Sequence, residues 1–156
     1  MTKKILKMCS TNFFAVTVLQ AEINYFSQNG YSIDLICPTD NHIKKVKGCK
    51  LINLNIKRKI SPVSFIFNLI QLIKIIRAGR YDIVHTHNHV VGILGRLAAK
   101  ICGVNTIIHT AHGFFFNARM SIIPYYFYFI IEKFVGYFTD LILIESMEDV
   151  ETVIKR

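Results

Sequence analysis

Short, uninterrupted apolar runs alternate with helix-length segments along the whole chain, and few folds accept that order. Residues 4–9, 31–37, 50–54, 81–85, 105–110 and 140–144 read as strands, and residues 15–28, 61–78, 90–102, 121–138 and 147–155 read as helices. The strand runs are apolar throughout rather than alternating, as strands covered on both faces must be, and strand–helix–strand order joins parallel neighbours. The expectation is α/β: a single Rossmann-like, doubly wound parallel sheet occupying residues 1–156 as one domain. Punctuation agrees with these boundaries. Asn29-Gly30 follows the first helix, Pro38 stops the second strand, Ser61-Pro62 opens the next helix and Gly79 closes it.

A chain of 156 residues with 52% hydrophobic content can bury a proper core, which sets disorder aside. The cysteines at 9, 37, 49 and 102 form no CxxC pair and each lies in or beside an apolar run, so reduced thiols in a cytoplasmic setting are expected. The amino terminus breaks its apolar character at Lys7, Ser10, Thr11 and Asn12 before a secretion signal can form. The longest charge-free apolar stretches, residues 61–73 and 120–131, fall short of the roughly 20 residues that span a bilayer. Extending the second to residue 144 would place Glu132, Lys133 and Asp140 in hydrocarbon at about 2–3 kcal/mol each.

The formal charge of +9 is local: between Asp40 and Asp82 there is no carboxylate, while Lys44, Lys45, Lys47, Lys50, Lys57, Arg58, Lys59, Lys74, Arg77 and Arg80 all fall there. Such a field favours anions. No aromatic residues interleave with these lysines to stack on bases, so nucleic acid is not the expected partner. Basic side chains beside wide apolar helices suit an anionic membrane surface instead, with a merely solvated basic face as the alternative.

In a doubly wound sheet the chemistry lies just past the carboxyl ends of the strands, here residues 10–14, 38–45, 86–89 and 111–117. The first of these loops contains no glycine, so it lacks the GxGxxG dinucleotide fingerprint, and no GxxxxGK[ST] occurs anywhere. Asn12 is left there as a hydrogen-bonding candidate, or as an ordinary loop-satisfying residue. His85, His87 and His89 stand at period two, which on an extended segment would point them to one side as in a metal site. Neither Cys nor a carboxylate stands nearby to complete coordination, and the strand should end about where the cluster begins. A polar rim for a hydroxyl-rich ligand such as a sugar is the more economical reading, no metal is expected, and ordinary loop histidines are the alternative. In TIIHTAHGFFF (residues 106–116) an apolar strand delivers His112 to the crevice, with His109 before it, while Gly113 permits a sharp turn into Phe114. A histidine at that place can hydrogen-bond a reacting group near neutral pH.

Taken in order, DIVHTH (82–87), GILGRLAA (92–99), HTAHGF (109–114), IEK (131–133) and TD (139–140) resemble the N-terminal domain of family 4 glycosyltransferases. The resemblance is close from Asp82 onward and one of layout before it. It implies a GT-B transferase: two Rossmann-like domains facing a cleft, retaining chemistry, a nucleotide-sugar donor as co-substrate, and no cofactor or required metal. It implies a lipid-linked or polysaccharide acceptor and a peripheral position on the inner face of the cytoplasmic membrane. It makes His112 the catalytic candidate lining the cleft, Gly113 and Phe114 its following turn, and Asn12, His85, His87 and His109 candidate substrate contacts. Gly92, Gly95 and Arg96 match a helix behind the cleft. Two departures stand out. Asn12-Phe13 replaces the paired glycines that approach the donor phosphates in many members, and the donor-binding domain, with two glutamates eight positions apart, does not follow; Glu145 and Glu151 do not supply that motif. The expectation is therefore an acceptor-side domain that needs a donor-binding partner, or else a non-catalytic membrane-surface module or truncated relic of such an enzyme.

Overall fold

The computed structural model describes residues 2–38, 46–57, 61–113, 120–147 and 150. Its elements are β1 (Lys4–Met8), α1 (Asn12–Phe14), a π-helical stretch (Ala15–Leu19) running into α2 (Gln20–Gln28), β2 (Ser32–Cys37), β3 (Lys50–Asn53), α3 (Pro62–Gly79), β4 (Ile83–His87), α4 (His89–Ile101), β5 (Thr106–Ala111), α5 (Ile122–Gly136) and β6 (Leu141–Ile144). All strand pairings are parallel, in the order β3-β2-β1-β4-β5-β6. That order reverses direction between β1 and β4, so the switch point lies where their carboxyl ends stand side by side, Met8 beside Thr86. The expected Rossmann-like parallel sheet is the observed one.

Strand alternation sends side chains to two cores. Leu6, Met8 and Val84 pack with Leu72, Ile76 and Leu94 of α3 and α4 on one face. Ile33, Leu35 and Cys37 pack with Leu19 and Ile23 on the other. Gly95 is what lets α4 lie so close to the sheet, since a Cβ there would stand 2.6 Å from Thr86 Cγ2 and 2.9 Å from Met8 Sδ.

Three local expectations are corrected. The first helix starts earlier than residue 15 because Thr11 caps it, its Oγ1 accepting from the Phe14 N–H at 3.2 Å, so most of the supposed first loop is helical. Gly79 does not close α3; it stays helical because the Tyr81 ring leaves no room for a side chain, a Cβ there meeting Tyr81 Cε2 at 2.2 Å, and Arg80 takes the left-handed turn at φ 50° instead. The fourth strand runs on through His87 rather than ending at the start of the histidine cluster. Of the helix expected over 147–155, most lies outside the described residues.

Ser61 and Pro62 open α3 as expected, Ser61 Oγ accepting from the Ser64 N–H. By length and composition this helix is apolar enough to cross a membrane. It buries only a narrow stripe, Asn68, Leu72 and Ile76, leaving Val63, Ile66, Phe67 and Ile70 exposed. On α5 the residues Ile122, Ile123, Tyr126, Phe127, Ile130 and Phe134 are likewise exposed, while Tyr125, Glu132 and Val135 face inward.

Candidate active site

The two segments that flank the switch point are tied together there. Ser10, just past β1, donates from both its backbone N–H (3.0 Å) and its hydroxyl (3.1 Å) to Asn88 Oδ1, just past β4. Asn88 holds φ 64° with ψ 160°, a strained backbone conformation normally left to glycine, and α4 starts immediately after it. Above this tie lies a cavity of about 210 Å³ whose polar lining is Ser10, Asn88, His89, His109, His112 and Glu132.

The floor of that cavity is built from α4 and α5. Arg96 is fully buried among the apolar residues of α4, and a buried guanidinium requires a carboxylate. Glu132 provides it: Arg96 Nη2 donates to Glu132 Oε2 at 2.7 Å, Arg96 Nε donates to the Gly92 carbonyl at 3.0 Å, and His89 Nδ1 lies 3.2 Å from Glu132 Oε1. His109 stacks directly over Gly92, where a Cβ would come within 2.5 Å of its ring, and its Nδ1 meets Thr86 Oγ1 at 2.9 Å. Burial, and then the nearby Arg96 charge, push His109 down to about 2. Burial also lowers His89. These two imidazoles are neutral at physiological pH and offer hydrogen bonds rather than charge.

His85 and His87 point the other way. Both lie on the β4 face that carries Lys7 of β1, packed against α2, and both are buried. Lys7, fully buried, sits 2.7 Å from Glu22 Oε1 and 3.0 Å from His85 Nδ1, while His85 Nε2 meets Thr110 Oγ1 at 2.8 Å. Burial acts against both charges of the Lys7–Glu22 pair and lowers Lys7. For Glu22 the penalty is outweighed by hydrogen bonds and charge from His85 and Lys7, which bring it to about 2. Glu22, His85 and His87 could each offer a metal ligand, their atoms lying within 4.8 Å of one another, but the Lys7 amine already contacts two of the three.

His112 stands between the two faces. It lines the cavity, its Nε2 is 3.2 Å from His87 Nδ1, its Nδ1 is 2.7 Å from Glu145 Oε2, and the Phe14 ring meets it edge-on at 4.6 Å between centroids. Gly113 takes φ 101°, the turn its identity predicts, and also borders the cavity. Among the sequence candidates, then, His109, His112 and Gly113 share the cavity. His85 and His87 lie behind it and do not line it, because a strand that persists through His87 keeps both side chains on the α2 face. Asn12 is buried in α1 and is not part of the cavity lining, and Phe114 lies outside the described residues.

Sequence reasoning missed Ser10, Asn88 and the role of Glu132, and it set Glu145 aside. The Arg96–Glu132 pair had a readable signal, because a lone arginine among Val, Gly, Ile, Leu and Ala demands a partner. The Ser10–Asn88 tie had none, since the two residues are 78 positions apart.

Known proteins resemble this chain in sequence and in fold. The chain is 39% identical over 99 residues to the Escherichia coli UDP-Gal:alpha-D-GlcNAc-diphosphoundecaprenol alpha-1,3-galactosyltransferase, covering 64% of this chain and 26% of that protein. It is 28% identical over 151 residues to EpsD of Bacillus subtilis (strain 168), a glycosyltransferase by name, covering 96% of this chain and 39% of that one. This chain thus spans about a quarter to two-fifths of the length of these curated relatives. Among solved structures, MurG of Acinetobacter baumannii superposes with a TM-score of 0.66 at 14% identity, over 91% of this chain and 41% of that one. A sucrose-phosphate synthase structure from Thermosynechococcus elongatus gives 0.68 at 15% identity, over 97% and 81%. At such identities the likeness is one of fold, that of a GT-B half. Residues 7–146 match the family described as Glycosyl transferase 4-like, and the chain belongs to it.

Proposed function

We propose that this domain forms the acceptor-side wall of a glycosyl-transfer cleft, in which a sugar passes from a nucleotide-sugar donor to a lipid-linked or glycan acceptor. The observation that carries the reading is the cavity at the switch point, where Ser10, Asn88, His89 and His109 present neutral hydrogen-bonding groups beside the oriented ring of His112, and Glu132, the carboxylate among the described lining residues, is already paired with Arg96. Among the described residues the floor holds no free cation, which suits sugar hydroxyls better than phosphates. The E. coli relative is named for an acceptor in which a sugar is joined through a diphosphate to a polyprenol, and an acceptor of that kind would place its sugar here and its lipid outside. Nucleotide-sugar is a co-substrate in this scheme, with no resident cofactor or metal. A donor-binding domain must face the cavity, because transfer depends on holding two substrates in register.

Titrating the chain by calorimetry with a short-chain N-acetylglucosaminyl-diphospholipid analogue should give saturable binding that His109→Ala weakens about tenfold, as loss of one positioned polar contact would. UDP-galactose should bind far more weakly than the analogue. The reverse preference would contradict the acceptor-side assignment.

The same reading puts the domain at the inner face of the cytoplasmic membrane. Helices α3 and α5 each follow a parallel strand, so both begin at the sheet edge that holds the cavity. Their first two turns carry Val63 and Phe67, and Ile123 and Phe127, exposed at 79%, 60%, 83% and 60%. Apolar and aromatic side chains beside the acceptor pocket, with Lys57 exposed near it and Lys74 and Arg77 further along α3, fit an anionic bilayer surface. A packed inner stripe on α3 favours lying on that surface over crossing it. Flotation with vesicles containing phosphatidylglycerol should carry the protein upward at low salt and lose it at high salt; a protein that stays at the bottom at low salt would count against the membrane assignment.

A further inference from the structure

The contacts around His112 bear on where its proton sits. His87 is 2% exposed and burial holds it well below the usual histidine range, so it carries one proton on one of its two nitrogens. Among the described residues its buried Nε2 meets no hydrogen-bond partner, whereas its Nδ1 lies 3.2 Å from His112 Nε2. Orphaned buried N–H groups are rarer than under-satisfied acceptors, and a proton on Nδ1 finds His112 Nε2 as its acceptor, which favours placing it there. His87 Nδ1–H therefore donates to His112 Nε2. That leaves His112 protonated at Nδ1, where Glu145 Oε2 accepts at 2.7 Å. The three side chains are consistent with one direction only, from His87 through His112 to Glu145, and Phe14 braces the central ring from the side.

We propose that Glu145, just past β6, is a positioning residue for His112, holding its imidazole in the Nδ1–H form with the Nε2 lone pair turned to the strand. Glu145 directly follows β6 and is tethered by its own N–H to the Ala111 carbonyl at 3.5 Å, next to the residue it orients. A substrate entering the cavity thus meets a ring whose orientation and polarity are set beforehand rather than one free to flip. This inference rests on the cleft reading for its consequence in turnover, but the tautomer itself does not depend on it.

Long-range ¹⁵N–¹H NMR of the imidazoles in the full chain reads the tautomer directly. In the wild type His112 should show Nδ1 protonated and Nε2 bare, Glu145→Gln should turn this into a mixture, and Glu145→Asp should keep it. Glu145 is 59% exposed, so neither variant threatens folding. In an assembly that transfers sugar, Glu145→Gln should lower kcat about tenfold with little change in KM, and Glu145→Asp should recover most of it. An Nε2–H tautomer in the wild type, a spectrum unmoved by Glu145→Gln, or unchanged kcat in that variant would each overturn the proposal. If instead His112→Ala leaves turnover intact while the tautomer is as described, the cleft reading fails and the positioning role in turnover fails with it, leaving only the structural pair.

Discussion

Replacing His112 with alanine should lower turnover by about two to four powers of ten in an assembly that transfers sugar, the range expected when a preorganised polar group is removed from a reacting cleft. The geometry supports an effect of this size. His112 is the residue where the cavity meets the buried network behind it, fixed through both ring nitrogens and an aromatic edge. Its removal opens space near the surface, so the fold should survive and circular dichroism should be unchanged. Turnover within a factor of two of wild type would show that the cavity's chemistry lies elsewhere, with His89 and His109 the next groups to test.

Glu132→Ala should be the most damaging substitution for stability among the residues lining the cavity. It strands the Arg96 guanidinium, which is fully buried, and removes the partner of His89 Nδ1 at the same stroke. Removing one member of a buried ion pair costs about 3–5 kcal/mol, a large share of what a domain of this size has to spend. Urea unfolding at neutral pH measures it. The pair does not owe its place to strength alone, since replacing both partners with apolar residues of similar volume is often tolerated; Arg96→Met with Glu132→Leu should therefore recover much of the loss. A single-variant cost below about 1 kcal/mol would mean that water or another group reaches Arg96.

Much of this was legible in the residues. Six apolar runs and the glycines and prolines between them dictated a parallel sheet, because period and punctuation are local properties. What was misplaced depended on contacts distant in sequence. Gly79 reads as a helix terminator until the Tyr81 ring is seen against it, and Tyr81 is held there by donating to Asp34 Oδ2 at 2.6 Å, across the sheet. The histidines at 85 and 87 read as a loop rim because nothing local says that β4 continues; what lets it continue is burial beside Lys7 and Glu22, from two other elements. His112 was legible because a glycine turn follows an apolar strand. Its partner Glu145 was not, since only the pairing of β5 with β6 brings the two together.

On the proposed function, this domain supplies the acceptor wall of a cleft whose donor wall is a second domain. A transfer assay with nucleotide sugars and a lipid-linked acceptor, run on the 156-residue chain with and without a donor-binding domain from a family relative, tests it most directly. Turnover should depend on both domains being present and on His112. Robust turnover by the 156-residue chain alone would contradict the claim and require a donor site within this single sheet.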